Sequence, residues 1–161
     1  MTWAEAFRRQ AASDYQVFKQ FSGSGSQVAA CHQLHFLQMA TEKLAKSFLI
    51  GNSSEPPKQT HQALVTFLRI VSSRPEIRVR LKFGNDPKQF RAYIDKLLPL
   101  AARIEGLAPA GGKTGRVNPE YPWLNPLQKV VCPADYRFPE FAPNEITRIA
   151  TFIESLLRIA Q

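Results

Sequence analysis

The stretch Gln27-Val-Ala-Ala-Cys-His-Gln-Leu-His-Phe-Leu-Gln-Met-Ala-Thr-Glu-Lys-Leu-Ala-Lys-Ser-Phe-Leu-Ile50 carries the strongest helical pattern in the chain. Apolar residues recur along it at the 3.6-residue spacing of an α-helix, and others widen that face well beyond one stripe. A helix this apolar is expected at the centre of a bundle, not on its surface. The residues of the main seam are Ala30, Leu34, Leu37, Thr41, Leu44 and Phe48.

Helical patterns on both sides of this stretch predict an all-α, up-and-down bundle of about five helices. Residues 77–83 alternate apolar and basic side chains, as a strand would, but a Ser73-Arg-Pro-Glu76 capping box favours a short helix, which we adopt. Thr60 can cap the third helix, and Asp86-Pro87 opens a later one in which Pro99 is expected to introduce a kink. The predicted helices span 2–21, 27–50, 61–71, 77–83 and 86–106, with a last helix from Pro143 or Asn144.

Between Leu107 and Pro143 the helical signals stop, and seven prolines fall in this stretch. So long a loop is unusual in a compact domain unless it packs or functions. We expect its aromatic residues to pack on the bundle, although they could instead anchor a partner protein. No repeat or second domain is evident, so residues 1–161 are predicted to form one domain. The aromatic residues are Tyr121, Trp123, Tyr136, Phe138 and Phe141.

The composition is that of an ordinary globular domain. Hydrophobic residues make up 44% of the 161 positions and charged residues 21%, which excludes a mainly disordered or fibrous chain. No apolar run approaches the roughly 18 residues of a membrane span, and the first residues lack a signal-peptide core. Cys31 and Cys132 are too few for a disulfide framework. We therefore expect a soluble, cytoplasmic protein that makes no membrane contact.

Charge is the first feature that points to a partner. Twenty-one Lys and Arg against 13 Asp and Glu leave a net charge of +8. Such a surplus favours polyanions, because each neutralised phosphate releases condensed counterions. The densest basic stretch begins near Arg69 and is interpreted as either an RNA-binding surface or a solvated face. Its candidate nucleic-acid-binding residues are Arg74, Arg78, Arg80, Lys82, Lys88 and Arg91.

Two neighbouring segments carry a family resemblance. Gln38-Met-Ala-Thr-Glu42-Lys43-Leu-Ala-Lys46, followed after a loop by Thr60-His61-Gln-Ala-Leu64, resembles the motifs of the HEPN family (higher eukaryote and prokaryote nucleotide-binding domain). The resemblance covers about a quarter of the chain. It implies a helical bundle that often forms a homodimer, in a family whose members act in RNA cleavage, toxin–antitoxin pairs and defence against foreign nucleic acid.

Active ribonucleases of that family carry an Arg followed by a His after four to six intervening residues. The only histidines here are His32, His35 and His61, and none has an Arg at that distance before it. We therefore expect a non-catalytic member that binds RNA or a nucleotide, as a homodimer or with a partner protein. Two alternatives remain open. One is a ribonuclease whose His32 or His35 acts with Lys43 or Lys46, and the other is a subunit that only binds protein.

The same helix predicts a polar cluster. Glu42, Lys43 and Lys46 fall within one helical turn, so they form either a structural set of ion pairs joined by His61 or a pocket for a nucleotide or phosphate. Metal binding is not expected, since a site needs three or four ligands. No cofactor is predicted either, because Gly111-Gly-Lys113-Thr114 departs from the P-loop pattern. The candidate pocket residues are His35, Gln38, Glu42, Lys43, Lys46 and His61.

Overall fold

A computed structural model describes residues 1–23, 27–51, 53, 55, 61–109 and 116–159. These residues form six α-helices and one pair of very short strands, so the predicted all-α helical bundle is confirmed. A 3₁₀ turn, Pro133–Asp135, follows the strands. The elements are α1 (Trp3–Phe21), α2 (Ala30–Ile50), α3 (Ala63–Val71), α4 (Pro75–Arg80), α5 (Pro87–Glu105), β1 (Trp123–Leu124), β2 (Val130–Val131) and α6 (Pro143–Ile159).

Helix α2 lies at the centre of the bundle, as its broad apolar surface predicts. It contacts α1 along much of its length and also touches α3, α5 and α6. Leu37, Ala40 and Leu44 on its seam are completely buried. Burying a side chain such as Leu37 or Leu44 contributes roughly 1.5–3 kcal/mol, so this face of α2 adds substantially to core stability.

Helix α1 begins with a capping box that the sequence analysis does not use. The Thr2 side chain accepts a hydrogen bond from the backbone N–H of Glu5, and the Glu5 carboxylate accepts one from the backbone N–H of Thr2. These bonds satisfy two of the amides that a helix start leaves unpaired. Further along, the Tyr15 hydroxyl donates to the carbonyl oxygen of Ala150, which ties α1 to α6.

Two helix starts differ from the prediction. Helix α2 begins at Ala30 instead of Gln27, and its N-cap residue Ala29 has no side chain that could accept from the first turn. Helix α3 begins at Ala63 instead of His61. The imidazole of His61 bonds to a carboxylate of α2, and residue 61 stays outside the helix. Thr60, the predicted cap of α3, and the sequence from Gly111 to Thr114 lie outside the described residues.

The ambiguous stretch 77–83 is helical in its first half only. Helix α4 ends at Arg80, and Lys82 then adopts a positive φ of 67°, a conformation that stops helical hydrogen bonding. The predicted capping box is wrong, because the Ser73 hydroxyl donates back to the carbonyl of Ile70 and Arg74 occupies the N-cap position. Pro75 occupies the first turn as expected.

Helix α5 begins as predicted. The Asp86 carboxylate accepts a hydrogen bond of 2.8 Å from the backbone N–H of Gln89, and Pro87 holds the first helical position. The helix runs past Pro99 to Glu105. Along its length α5 packs on α2, α3, α4 and α6.

The loop before α6 packs on the bundle through a second apolar cluster. Trp123 and Phe138 are buried against Cys31 and Leu34 of α2, with Tyr136 partly buried beside them. The predicted packing on the bundle is therefore confirmed for Trp123, Tyr136, Phe138 and Phe141. The same prediction is wrong for Tyr121, whose side chain is 60% exposed. Strands β1 and β2 pair antiparallel within this segment, with Trp123 opposite Val131 and Leu124 opposite Val130.

Across the described parts of the chain, none of the helices combines the length and the apolar character that a membrane crossing demands.

Candidate functional site

A buried carboxylate on α2 organises the first candidate site. Glu42 accepts a hydrogen bond of 2.9 Å from the Gln38 side-chain amide and pairs with the Lys46 ammonium at 2.6 Å. His61 lies just before α3, and its Nδ1 atom is 2.9 Å from Glu42 Oε2, the same oxygen that accepts from Gln38. Gln38 and Glu42 are buried, Lys46 is nearly so, and His61 is exposed. The fold thus assembles four of the six predicted pocket residues.

The charge of this cluster is balanced internally. Burial alone would raise the pKa of Glu42, but the hydrogen bonds and charges of Lys46 and His61 outweigh it and lower the pKa. Glu42 therefore stays ionised at neutral pH and holds the ammonium of Lys46 beside it. A carboxylate fixed in this way links α2 to the start of α3. It is poorly placed to accept a proton from a substrate.

The other two predicted pocket residues lie in separate contacts. The Lys43 ammonium pairs with Asp14 of α1 at 2.6 Å, where Asp14 also accepts from Gln10. His35 Nδ1 lies 2.9 Å from Glu120 in the loop before β1. The pocket predicted from sequence is therefore divided among three contacts that join α2 to three different parts of the chain.

A polar cleft opens beside His61. Its volume is about 490 Å³, and it lies where the start of α3 meets the end of α5. The Glu105 carboxylate accepts hydrogen bonds from the backbone N–H groups of Leu64 at 2.6 Å and Val65 at 3.0 Å, and so caps α3 from another helix. Burial raises the pKa of Glu105, with the neighbouring charge of Glu42 adding to it. The residues that line the cleft include His61, Thr66, Arg69, Glu105, Gly106 and Arg116.

Sequence reasoning missed Asp14, Glu105 and Glu120. Glu105 lies 41 residues after the first amide that it caps, so no local motif could reveal the pairing. The position of Asp14 among the apolar residues of α1 is a weak indication that its carboxylate is buried and paired. Glu120 has no signal, since it falls in the loop.

The six predicted nucleic-acid-binding residues lie at the N-cap of α4, on α4, in the turn after it and at the start of α5. We call these six the basic surface. Arg78 donates to the carbonyl of Gly84 and Arg80 donates to that of Ile159, so these two also hold the backbone. Within the described part of the chain, none of the six forms an ion pair with a carboxylate. Arg80, Lys82, Lys88 and Arg91 are exposed, and Arg74 and Arg78 are partly so.

Within the ranges that the structure describes, no three His, Cys, Asp or Glu side chains are grouped so as to hold a metal ion. Cys31 is buried in the second apolar cluster, and burial raises the pKa of its thiol. His32, the next residue, is exposed.

Comparison of the chain with protein-family models, with curated proteins and with solved structures finds no match.

Proposed function

We propose that this protein is a non-catalytic, HEPN-like module that binds RNA through the basic surface. The observation that carries the proposal is a run of exposed cations that lack carboxylate partners within the described chain. An ammonium or guanidinium group held close to other cations repels them, and phosphates relieve that repulsion while releasing counterions. Lys43, Lys46 and Arg103 pair with acidic residues, whereas the basic surface gathers six cations without an ion pair to any described carboxylate between Arg74 and Arg91, which is the densest basic stretch of the sequence.

The pairing of two lysines supports a non-catalytic role. Lys43 and Lys46, the cations that a non-standard ribonuclease would use beside a histidine, each pair with a carboxylate of the protein. His35 and His61 each bond through Nδ1 to a glutamate, and His32 is exposed. The non-catalytic assignment therefore rests on the missing Arg–His spacing of the family and on the neutralised lysines.

The test is binding of labelled single-stranded RNA at two salt concentrations, with the same samples run on a denaturing gel. We expect binding that weakens steeply with salt, because the slope of log K against log salt is about −0.7 for each phosphate contact to a single strand. The RNA should remain intact. Binding that is absent at low salt would contradict the proposal.

The denaturing gel also shows whether the protein cleaves the RNA. RNA cut in the presence of EDTA, with the cutting abolished by His35→Ala at unchanged melting temperature, would replace the binding proposal with the ribonuclease alternative. His32→Ala is run in parallel, because His32 is the other candidate histidine, and Gln20→Ala at an exposed position of α1 provides the control.

A second candidate function is self-association or binding of a protein partner. Leu127 and Val130, at and beside the β1–β2 connection, are 75% and 74% exposed, and Tyr121 lies exposed just before β1. Exposed large apolar residues that are close together in the chain are typical of contact surfaces. We propose that they form a homodimer contact.

Light scattering coupled to gel filtration tests this contact. The wild type should have the mass of a dimer, and Leu127→Ser with Val130→Ser should have that of a monomer with an unchanged helical circular dichroism spectrum. Val79→Ser is the control, because Val79 is an exposed apolar residue on α4 instead of the hairpin. A monomeric wild type would exclude the dimer contact and leave the RNA proposal in place.

A further inference from the structure

The polar cleft between α3 and α5 contains two arginines without an acidic partner. Arg69 projects from α3, and Arg116 comes from the segment that follows α5. Neither forms an ion pair with any carboxylate that the structure describes. A guanidinium group presents five N–H donors in a fixed planar fork, which matches the oxygens of a phosphate. Two such groups facing one cleft form a site for an oxyanion with more than one charge.

The acidic residue that lines the cleft, Glu105, does not pair with either arginine. Both hydrogen bonds described for the Glu105 carboxylate come from the backbone of α3, and they involve one of its oxygens, Oε1. Arg69 lies near enough to lower the pKa of Glu105, but not within ion-pair distance. The charged groups that line the cleft are thus two guanidinium groups and one carboxylate, with the titratable His61 beside them. The cleft keeps a positive excess.

The backbone narrows the cleft at one point. A Cβ atom added at Gly106 would lie 3.5 Å from a guanidinium nitrogen of Arg116 and 3.0 Å from the carbonyl oxygen of Arg103. The Arg116 guanidinium group therefore lies within van der Waals reach of the end of α5. The cleft volume of about 490 Å³ falls within the range of small-molecule sites.

We propose that this cleft binds the phosphate group of a small molecule between the guanidinium groups of Arg69 and Arg116. The site is separate from the basic surface. It lies at the start of α3 and the end of α5, whereas the basic surface lies on α4 and at the start of α5. The proposal therefore does not depend on RNA binding by the basic surface.

Calorimetric titration with inorganic phosphate and with glycerol 3-phosphate tests the proposal. Wild-type protein should bind both at millimolar concentration or better. Arg69→Gln and Arg116→Gln should each weaken binding about tenfold or more, because each removes charge-assisted hydrogen bonds. Both residues are exposed, so circular dichroism should show an unchanged fold. Arg9→Gln, which removes the same charge from an exposed position on α1, should leave phosphate binding unchanged.

A phosphate group could also come from the end of an RNA chain. Competition between 5′-phosphorylated and 5′-hydroxyl RNA of one sequence distinguishes the sources. If RNA supplies the group, wild type should prefer the phosphorylated RNA and Arg69→Gln should lose that preference. If a small molecule supplies it, neither protein should discriminate. The site is refuted if wild type fails to bind phosphate, or if both cleft variants bind it as tightly as Arg9→Gln does.

Discussion

At the scale of single residues, Glu42 contacts three chemically different partners. It accepts from Gln38 and Lys46 on its own helix and from His61, so it links α2 to the residues just before α3. A motif that resembles a ligand pocket thus has a sufficient structural role. The motif residues need no ligand to be satisfied, since no buried polar side-chain atom in the described regions lacks a hydrogen-bond partner.

Glu42→Gln should destabilise the fold by about 3 kcal/mol, because the Lys46 ammonium would remain nearly buried without its counter-charge. For a domain of this size, that corresponds to a fall in melting temperature of roughly 10 °C. Thermal unfolding followed by circular dichroism measures it. Glu76→Gln, an exposed position on α4, should change stability by less than about 0.5 kcal/mol. Equal effects of the two variants would show that the cluster contributes nothing specific.

The effect of Glu42→Gln should depend on pH. The folded-state pKa of Glu42 lies below its ordinary value of 4.5, so its contribution is fully present above that value and is lost as the pH falls through the lower folded pKa. Lys46, His61 and Glu105 are the charged groups around it. Urea unfolding should therefore show the gap between wild type and variant narrowing from neutral pH to about pH 3. A gap that is constant or widens toward acid would contradict this assignment.

At the scale of elements, helices are joined by side chains that come from distant parts of the chain. Glu105 caps α3 from α5, Asp14 of α1 holds Lys43 of α2, and Tyr15 of α1 donates to α6. The described N-cap residue of α3, Gln62, makes no side-chain cap of its own. The start of α3 therefore depends on tertiary packing as well as on local sequence.

Glu105→Ala should destabilise the fold by about 2 kcal/mol, since two backbone amides lose a carboxylate acceptor. The amides of Leu64 and Val65 should then exchange faster with solvent than those at the start of α5, where Asp86 still caps. Hydrogen exchange read by NMR measures both. Glu105→Gln keeps a carbonyl acceptor and should retain part of the protection. Unchanged exchange in Glu105→Ala would exclude the cap.

Helix starts and buried apolar faces could be predicted, because residue type and spacing along the chain indicate them. The Asp86–Pro87 start, the breadth of the apolar face of α2 and the packing of Trp123 and Phe138 were all predicted from sequence. The capping box at Ser73 was wrong because the hydroxyl found a carbonyl in the preceding helix. Contacts such as that of Glu105 could not be predicted, because their partners meet only after the helices pack.

At the scale of the whole molecule, the architecture could be predicted from the sequence more fully than the candidate sites could. The sequence predicted a helical bundle, which the structure confirms, and a basic stretch, whose role in binding stays a prediction. It also predicted one polar pocket on α2, which the structure divides among three separate contacts. The cleft with Arg69 and Arg116 was not predicted, because its cations come from segments that are distant in sequence. RNA binding by the basic surface remains the central functional proposal.

That proposal is tested most directly by the salt dependence of RNA binding in two charge-matched double variants. Lys88→Gln with Arg91→Gln alters the basic surface, and Arg9→Gln with Lys129→Gln removes the same charge from exposed positions elsewhere. The first variant should bind RNA more weakly and lose about 0.7 from the slope for each contact, whereas the second should follow the wild type. Equal losses in both variants would show that RNA responds only to net charge and would contradict a defined binding surface.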